Sequence, residues 1–193
     1  MSKIKRGLRG VWYFFWGHIL GYLLYDRRNF TGKWFSGRMH GLCAEGWVWV
    51  THDAIARFLL HENTEATFPI SHRCCVIYPQ NITFDPDDLN NFQSYGIYYQ
   101  AIGKITIGKG TFIAPNVGLI TANHDLKDPS KHLPPKPITI GQKCWIGMNS
   151  MVLSGVTLGD GTIVGAGSVV TKSFVNGHCV IAGNPARKIR DLI

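Results

Sequence analysis

From residue 101 onward the chain repeats every six residues, a period that excludes most folds open to a chain of this size. Apolar residues fall at Ala101, Ile107, Ile113 and Leu119, and after a break at Ile140, Ile146, Val152, Leu158, Val164 and Val170. Gly or Ala follows several of them, at Gly108, Ala114, Gly141, Gly147, Gly159 and Gly165. Four residues after the apolar position stands a small or thin side chain: Thr111, Val117, Cys144, Ser150, Val156, Thr162 and Ser168. An amphipathic helix repeats near 3.6 residues and a half-exposed strand repeats at two, so neither fits. A coil of short strands does. Each strand turns its apolar residue inward, a turn bends the chain, and three hexads close a triangular turn of about 18 residues. Successive turns then hydrogen-bond along the axis and bury one continuous apolar stack. An earlier trace of the period runs through Ile70, Val76 and Ile82. The expected fold is therefore mainly β, a parallel β-helix over residues 70–175. The ends of such a coil need covers against edge pairing. Residues 1–69, with a helical start, and the tail 176–193 are the natural ones.

The break in the period lies between Leu119 and Ile140 and contains Asn123-His124-Asp125, Asp128-Pro129 and Pro134-Pro135. Prolines and charges at this density predict a loop, 123–138, expelled from the coil. Loops carried by rigid scaffolds are where chemistry is usually placed.

Charge is distributed unevenly. The chain carries 20 Lys+Arg and 12 Asp+Glu, a formal net charge of +8. Residues 1–38 hold eight of the basic residues (Lys3, Lys5, Arg6, Arg9, Arg27, Arg28, Lys33, Arg38) against Asp26 alone. The body is close to neutral, which argues against a nucleic-acid groove along it. Residues 11–25, VWYFFWGHILGYLLY, are apolar and rich in aromatics, with basic residues on both sides. The run is shorter than the roughly 20 residues that cross a bilayer as a helix. No small-residue cleavage site follows it, so a signal peptide is not expected. Two readings stay open for residues 1–28: contact with a membrane surface, which this composition favours, and packing on the main domain or a sister subunit. Further on, Trp34, Phe35, Trp47 and Trp49 read as packed aromatic anchors, and Ala54 to Leu60 as a short helix. The five cysteines (Cys43, Cys74, Cys75, Cys144, Cys179) are odd in number and form no C-x-x-C pair. They predict buried free thiols in a reducing cytoplasm and no zinc site.

The stretch ITIGKGTFIAPNVGLITANHD, the block ITIGQKCWIGMNSMVLSGVTLGDGTIVGAGSVVTKSF and the closing IAGNPARKIR resemble hexapeptide-repeat acyltransferases. Within them the chain is similar to the maltose, galactoside and polysaccharide-cluster O-acetyltransferases, over about residues 70–193. The resemblance implies a left-handed parallel β-helix, a homotrimer with active sites shared between subunits, and transfer of an acetyl group from acetyl-CoA to a sugar hydroxyl. It makes His124, seven residues after Val117, the general base; an imidazole can take a proton near neutral pH. The backbone amide of Met148 becomes the oxyanion donor. The family often carries a smaller polar residue there. Asp125 either orients His124 or caps the loop. On the cofactor side, Trp145 would lie beside the pantetheine arm, unless it merely packs at a corner, and Ala166 would offer its backbone. Thr171 and Lys172 would stand near the nucleotide, while Arg187 and Arg190 would pair with phosphates. The alternative for Arg190 is a solvated residue of the tail.

For the acceptor, Asp85, Asn91, Gln93 and Tyr95 lie in the irregular stretch before the main coils. They are candidate sugar contacts, although Asp-Pro-Asp-Asp also favours a turn. The basic, aromatic N-terminus suits a lipid-linked saccharide at the inner face of the membrane. Three alternatives remain: acetylation of an antibiotic or amino sugar, a non-catalytic trimeric scaffold, and a solenoid that binds zinc through three histidines. Zinc would need convergent imidazoles, and the spacing of His72, His124 and His132 does not resemble that class. No metal is expected.

Overall fold

The computed structural model describes residues 3–36 and 41–192, so Arg38 and His40 lie outside the described residues. The chain forms two compact units, Met1–His72 and Arg73–Ile193.

Among the described residues the second unit is built from fourteen short strands. In chain order they are β1 (Cys75–Ile77), β2 (Ile82–Thr83), β3 (Tyr98–Gln100), β4 (Ile105–Ile107), β5 (Phe112–Ile113), β6 (Gly118–Ile120) and β7 (Ile138–Ile140). There follow β8 (Trp145–Ile146), β9 (Met151–Val152), β10 (Thr157–Leu158), β11 (Ile163–Val164), β12 (Val169–Val170), β13 (Cys179–Ala182) and β14 (Arg187–Asp191). They stack as three parallel sheets, β1-β3-β6-β9-β12, β2-β4-β7-β10 and β5-β8-β11-β13, with β14 antiparallel on the last. The winding is the left-handed parallel β-helix expected. All ten apolar hexad positions are buried, each at 3% exposure or less. A buried Leu or Ile side chain contributes about 1.5–3 kcal/mol, so the stack is the main source of cohesion.

Register explains the remaining columns of the repeat. Side chains alternate inward and outward along a strand. The second sheet therefore shows solvent a ladder of Thr83, Thr106, Thr139 and Thr157. The third shows Phe112, Trp145 and Ile163. The thin residues four places after each apolar one are buried at corners. Their hydroxyls serve backbone carbonyls at the corners: Ser150 and Ser168 both donate to Gly165, and Thr162 to Gly159. Three residues after seven of the ten apolar positions the backbone turns left-handed, at Gly110, Asn116, Lys143, Asn149, Gly155, Gly161 and Gly167. Gly and Asn suit that conformation; Lys143 adopts it without their advantage.

The 3-10 segment Pro86–Phe92 caps the open side of β5. Asn91 is fully buried, donates to the Thr111 carbonyl at 2.9 Å and accepts from the Ile113 amide at 2.9 Å. Its side-chain amide thus replaces a missing strand. Asp88 accepts from the Gly110 amide at 2.7 Å.

In the first unit, α1 spans Lys3–Leu24 and α2 spans Glu45–Leu60. The second helix starts nine residues earlier than expected. Trp47, Val50, Thr51 and Ala54 recur at helical spacing and are all buried. Trp47 anchors the unit: His18 stacks on it at 3.8 Å, and Phe14, Phe30 and Phe35 meet it edge-on. Among the described residues no helix is long and apolar enough to cross a membrane. The cysteines are all free. Cys74, Cys144 and Cys179 are buried, but Cys43 and Cys75 are exposed, contrary to expectation. Cys75 opens β1, whose alternation turns it outward beside the buried Cys74.

Candidate active site

The expelled loop is an ordered hairpin. Its stem is held by the Leu133 amide donating to Asn123, the Asp125 amide to Lys131 and the Lys136 amide to Thr121. Two Asx turns fold the tip. The Asp125 carboxylate accepts from the Lys127 and Asp128 amides at 2.7 and 3.4 Å. The Asp128 carboxylate accepts from the Ser130 hydroxyl and amide and pairs with Lys131 at 2.9 Å. Those Ser130 bonds, and then Lys131, hold the Asp128 carboxyl below the ordinary carboxylate range. The loop is fastened to the coil by the Ser154 hydroxyl on the Thr121 carbonyl.

This hairpin fixes the His124 ring. Nδ1 lies 2.6 Å from the Pro129 carbonyl oxygen. A carbonyl can only accept, so Nδ1 carries a proton, and in the neutral ring the lone pair is on Nε2. The partner that sets the tautomer is therefore a backbone group, and Asp125 serves the loop turn. The His132 ring lies beside the His124 ring, centroids 4.2 Å apart. His124 itself is exposed. Among the described residues no group of three His, Cys, Asp or Glu is placed to hold a metal ion.

A second cluster occupies one edge of the third sheet. Trp145 points outward from β8 and is 54% exposed. Three residues on, at the corner, the Met148 amide donates to no acceptor among the described residues, whereas its carbonyl accepts from Gly167 at 2.8 Å. That bond places Met148 against the corner of the next coil, where Ala166 is exposed. A Cβ on Gly147 would stand 2.6 Å from the Ala166 amide nitrogen, so the corner admits only glycine at that close approach. Cys144, next to Trp145, is buried, and burial pushes its thiol up.

One chain does not bring these clusters together. Met148 and Ala166 lie at corners that lead into the first sheet. His124 follows the exit of β6 on the other side of that sheet, and Thr171 and Lys172 follow the exit of β12. The sheet between is up to three residues wide at β6, roughly 10 Å at about 3.3 Å per residue. Thr171 and Lys172 are exposed, with the Lys172 ammonium 5.6 Å from the Phe174 ring centre. Arg187 and Arg190 are exposed on β14, Arg190 opposite Val180.

Of the candidate sugar contacts, Asn91 is corrected. Its buried amide is consumed by β5 and has no group left for a ligand. Asp85 caps the 3-10 segment through the Asp87 amide and, with Asp87, pairs with Lys109 at 3.2 and 3.3 Å. Gln93 ends that segment, half-buried. Tyr95 is 57% exposed under the Arg73 guanidinium. Sequence reasoning missed the Pro129 carbonyl and Ser154, neither of which carried a readable signal, and it weighed His132 only as a zinc ligand, not as a neighbour of the His124 ring.

Residues 137–172 match the family model described as bacterial transferase hexapeptide (six repeats). The chain is 37% identical over 123 residues to a protein of Escherichia coli (strain K12) named as a candidate colanic acid biosynthesis acetyltransferase, WcaF; the match covers 61% of this chain and 63% of that one. It is 41% identical over 91 residues to the galactoside O-acetyltransferase of the same organism, covering 46% and 44%. Among solved structures it is similar to the hexapeptide-repeat acetyltransferase VCA0836 of Vibrio cholerae O1 biovar eltor in complex with acetyl coenzyme A. There the identity is 33%, the cover 49% of this chain and 53% of that one, and the TM-score 0.47. The chain thus spans between 44% and 63% of the length of these relatives.

Proposed function

We propose that the chain is a hexapeptide-repeat transferase and that it moves an acetyl group from acetyl-CoA to a sugar hydroxyl during assembly of a surface polysaccharide. The observation that carries the reading is the His124 ring, whose Nδ1 is held by the Pro129 carbonyl. Nε2 of His124 is then free to take the proton of an acceptor hydroxyl. The hydroxyl oxygen bonds to the thioester carbonyl carbon, and the Met148 amide, unused among the described residues, donates to the oxyanion that forms. As the carbon–sulfur bond breaks, the departing thiolate recovers the proton from His124. Trp145 gives the pantetheine arm an apolar flank. Lys172, Arg187 and Arg190 supply cations suited to the several phosphates of coenzyme A.

The separation of His124 from the Met148 corner favours a site completed between neighbouring copies of a homotrimer. Relatives with names tied to colanic acid and galactoside acetylation support a saccharide acceptor. Free thiols fit a cytoplasmic location.

The test pairs calorimetric titration of acetyl-CoA with turnover of His124→Ala on a panel of sugar acceptors. We expect binding in both proteins and kcat lower by about 10²–10⁴-fold in the variant. Equal turnover removes His124 from the mechanism. Absence of binding in folded, trimeric protein turns the reading to a scaffold.

A further inference from the structure

The unit Met1–His72 inverts the usual arrangement of a surface helix. In most such helices the large apolar residues face the core and polar ones face water. Here α1 packs with its small residues. A Cβ on Gly10 would meet Cys43, one on Gly17 would meet Trp47, and one on Gly21 would meet Phe30, each within about 3 Å. The large residues face out. Leu8, Val11, Trp12, Phe15, Ile19 and Leu23 form one helical stripe, between 37% and 69% exposed. The last turns of α2 add Ile55, Phe58, Leu59 and Leu60, between 46% and 79% exposed. The two surfaces join. Leu20, Leu23 and Leu24 of α1 line an open apolar trough of about 540 Å³ together with Ile55 and Phe58 of α2. A contiguous face of this size marks an interaction site.

Charge and length select its partner. From Gly10 to Leu24 there is no Asp, Glu, Lys or Arg. Lys3, Lys5, Arg6 and Arg9 precede the run, and Arg27, Arg28 and Lys33 follow it. Asp26, the acid among them, is bound by Arg28 at 2.6 Å. Exposed Trp12, Trp16 and Tyr22 lie within the run, with the Arg27 guanidinium 5.8 Å from the Tyr22 ring centre. Cations flanking an aromatic, uncharged stripe are complementary to an anionic headgroup layer over acyl chains. The run rises only about 22 Å as a helix, short of the roughly 30 Å of a bilayer core. It fits along a membrane, not across one.

We propose that the joined α1–α2 face is a monotopic anchor that sits at the headgroup–acyl boundary of an anionic bilayer, with lipid acyl chains entering the trough. The inference concerns the N-terminal unit and does not depend on acetyl transfer.

The experiment is co-sedimentation of the full chain with phosphatidylcholine vesicles, with and without phosphatidylglycerol. It is run beside the double variant Leu23→Glu/Phe58→Glu. Both side chains are largely exposed, at 69% and 79%, so the core is untouched; circular dichroism and elution volume check the fold. The wild type should partition to the anionic vesicles, with a blue shift of tryptophan emission, and less so in high salt. The double variant should partition roughly tenfold less or worse. Equal partitioning of the two proteins, or a wild type left in the supernatant with both vesicle types, overturns the proposal. So does a variant whose only change is loss of self-association, because the face would then be a contact between copies of this chain.

Discussion

The Asp53 carboxylate accepts from the Tyr25 hydroxyl at 2.5 Å and from the Ile70 amide at 3.0 Å, yet its pKa is pushed up to about 6. Burial is the cause: Asp53 is 4% exposed inside the N-terminal unit, and desolvation outweighs the two hydrogen bonds and the nearby Arg57. Burial and the Asp53 charge raise the Tyr25 hydroxyl in turn. In the unfolded chain the Asp53 carboxyl titrates near 3.8. Between that value and about 6 the folded state holds a proton that the unfolded state has lost. Stability therefore falls as pH rises through this window, by up to about 3 kcal/mol at roughly 1.4 kcal/mol per pKa unit. Thermal melts of wild type and Asp53→Asn across pH 4 to 7 should show it. The wild type should lose melting temperature relative to the variant as pH rises. Parallel curves would mean that Asp53 is ionised throughout.

Corners govern the coil at the scale of its elements, and they use glycine for two reasons. Gly141 is needed for space, because a Cβ there would lie 2.5 Å from the Asp160 carboxylate and 2.8 Å from the Gly159 backbone. Gly167 has nothing within 4 Å but a φ of +69°. Gly141→Ala should cost about 1–3 kcal/mol through overpacking, and Gly141→Asn more. Gly167→Ala should cost about 1–2 kcal/mol through strain, and Gly167→Asn should recover most of it. Melting temperatures of the four variants separate the causes; recovery by Asn at 141 would refute the packing account. The hexad stack was legible in the sequence because each apolar residue packs on its counterpart in the next coil, so the period is the structure. The left-handed position was less so, since Gly, Asn and Lys share it and only backbone angles unite them. The start of α2 was hidden because Trp47 and Trp49 stand two residues apart, a strand-like spacing, whereas the face that is buried runs through Trp47, Val50, Thr51 and Ala54. Asn91 lies outside the period, and the Pro129 carbonyl is a backbone atom that no side-chain pattern announces.

For the whole molecule, the distance between His124 and the Met148 corner gives the proposed assembly a direct test. Trimers assembled from His124→Ala chains and Trp145→Ala/Arg187→Ala chains should be more active than either parent. If His124 and the cofactor residues served within one chain, mixing would restore nothing, and the activity of refolded mixtures against unmixed controls decides. Register carries a last implication. Trp145 lies against Ile163, 18 residues on, but Phe112 lies against Trp145, 33 residues on, and the same sheet absorbs both. Chain length in this body is therefore quantised. One residue added inside a coil would turn every later side chain to the wrong face, whereas any number added at the hairpin leaves the stack in phase. The segment that carries His124 is thus a place where the length of this chain can change without renegotiating its fold.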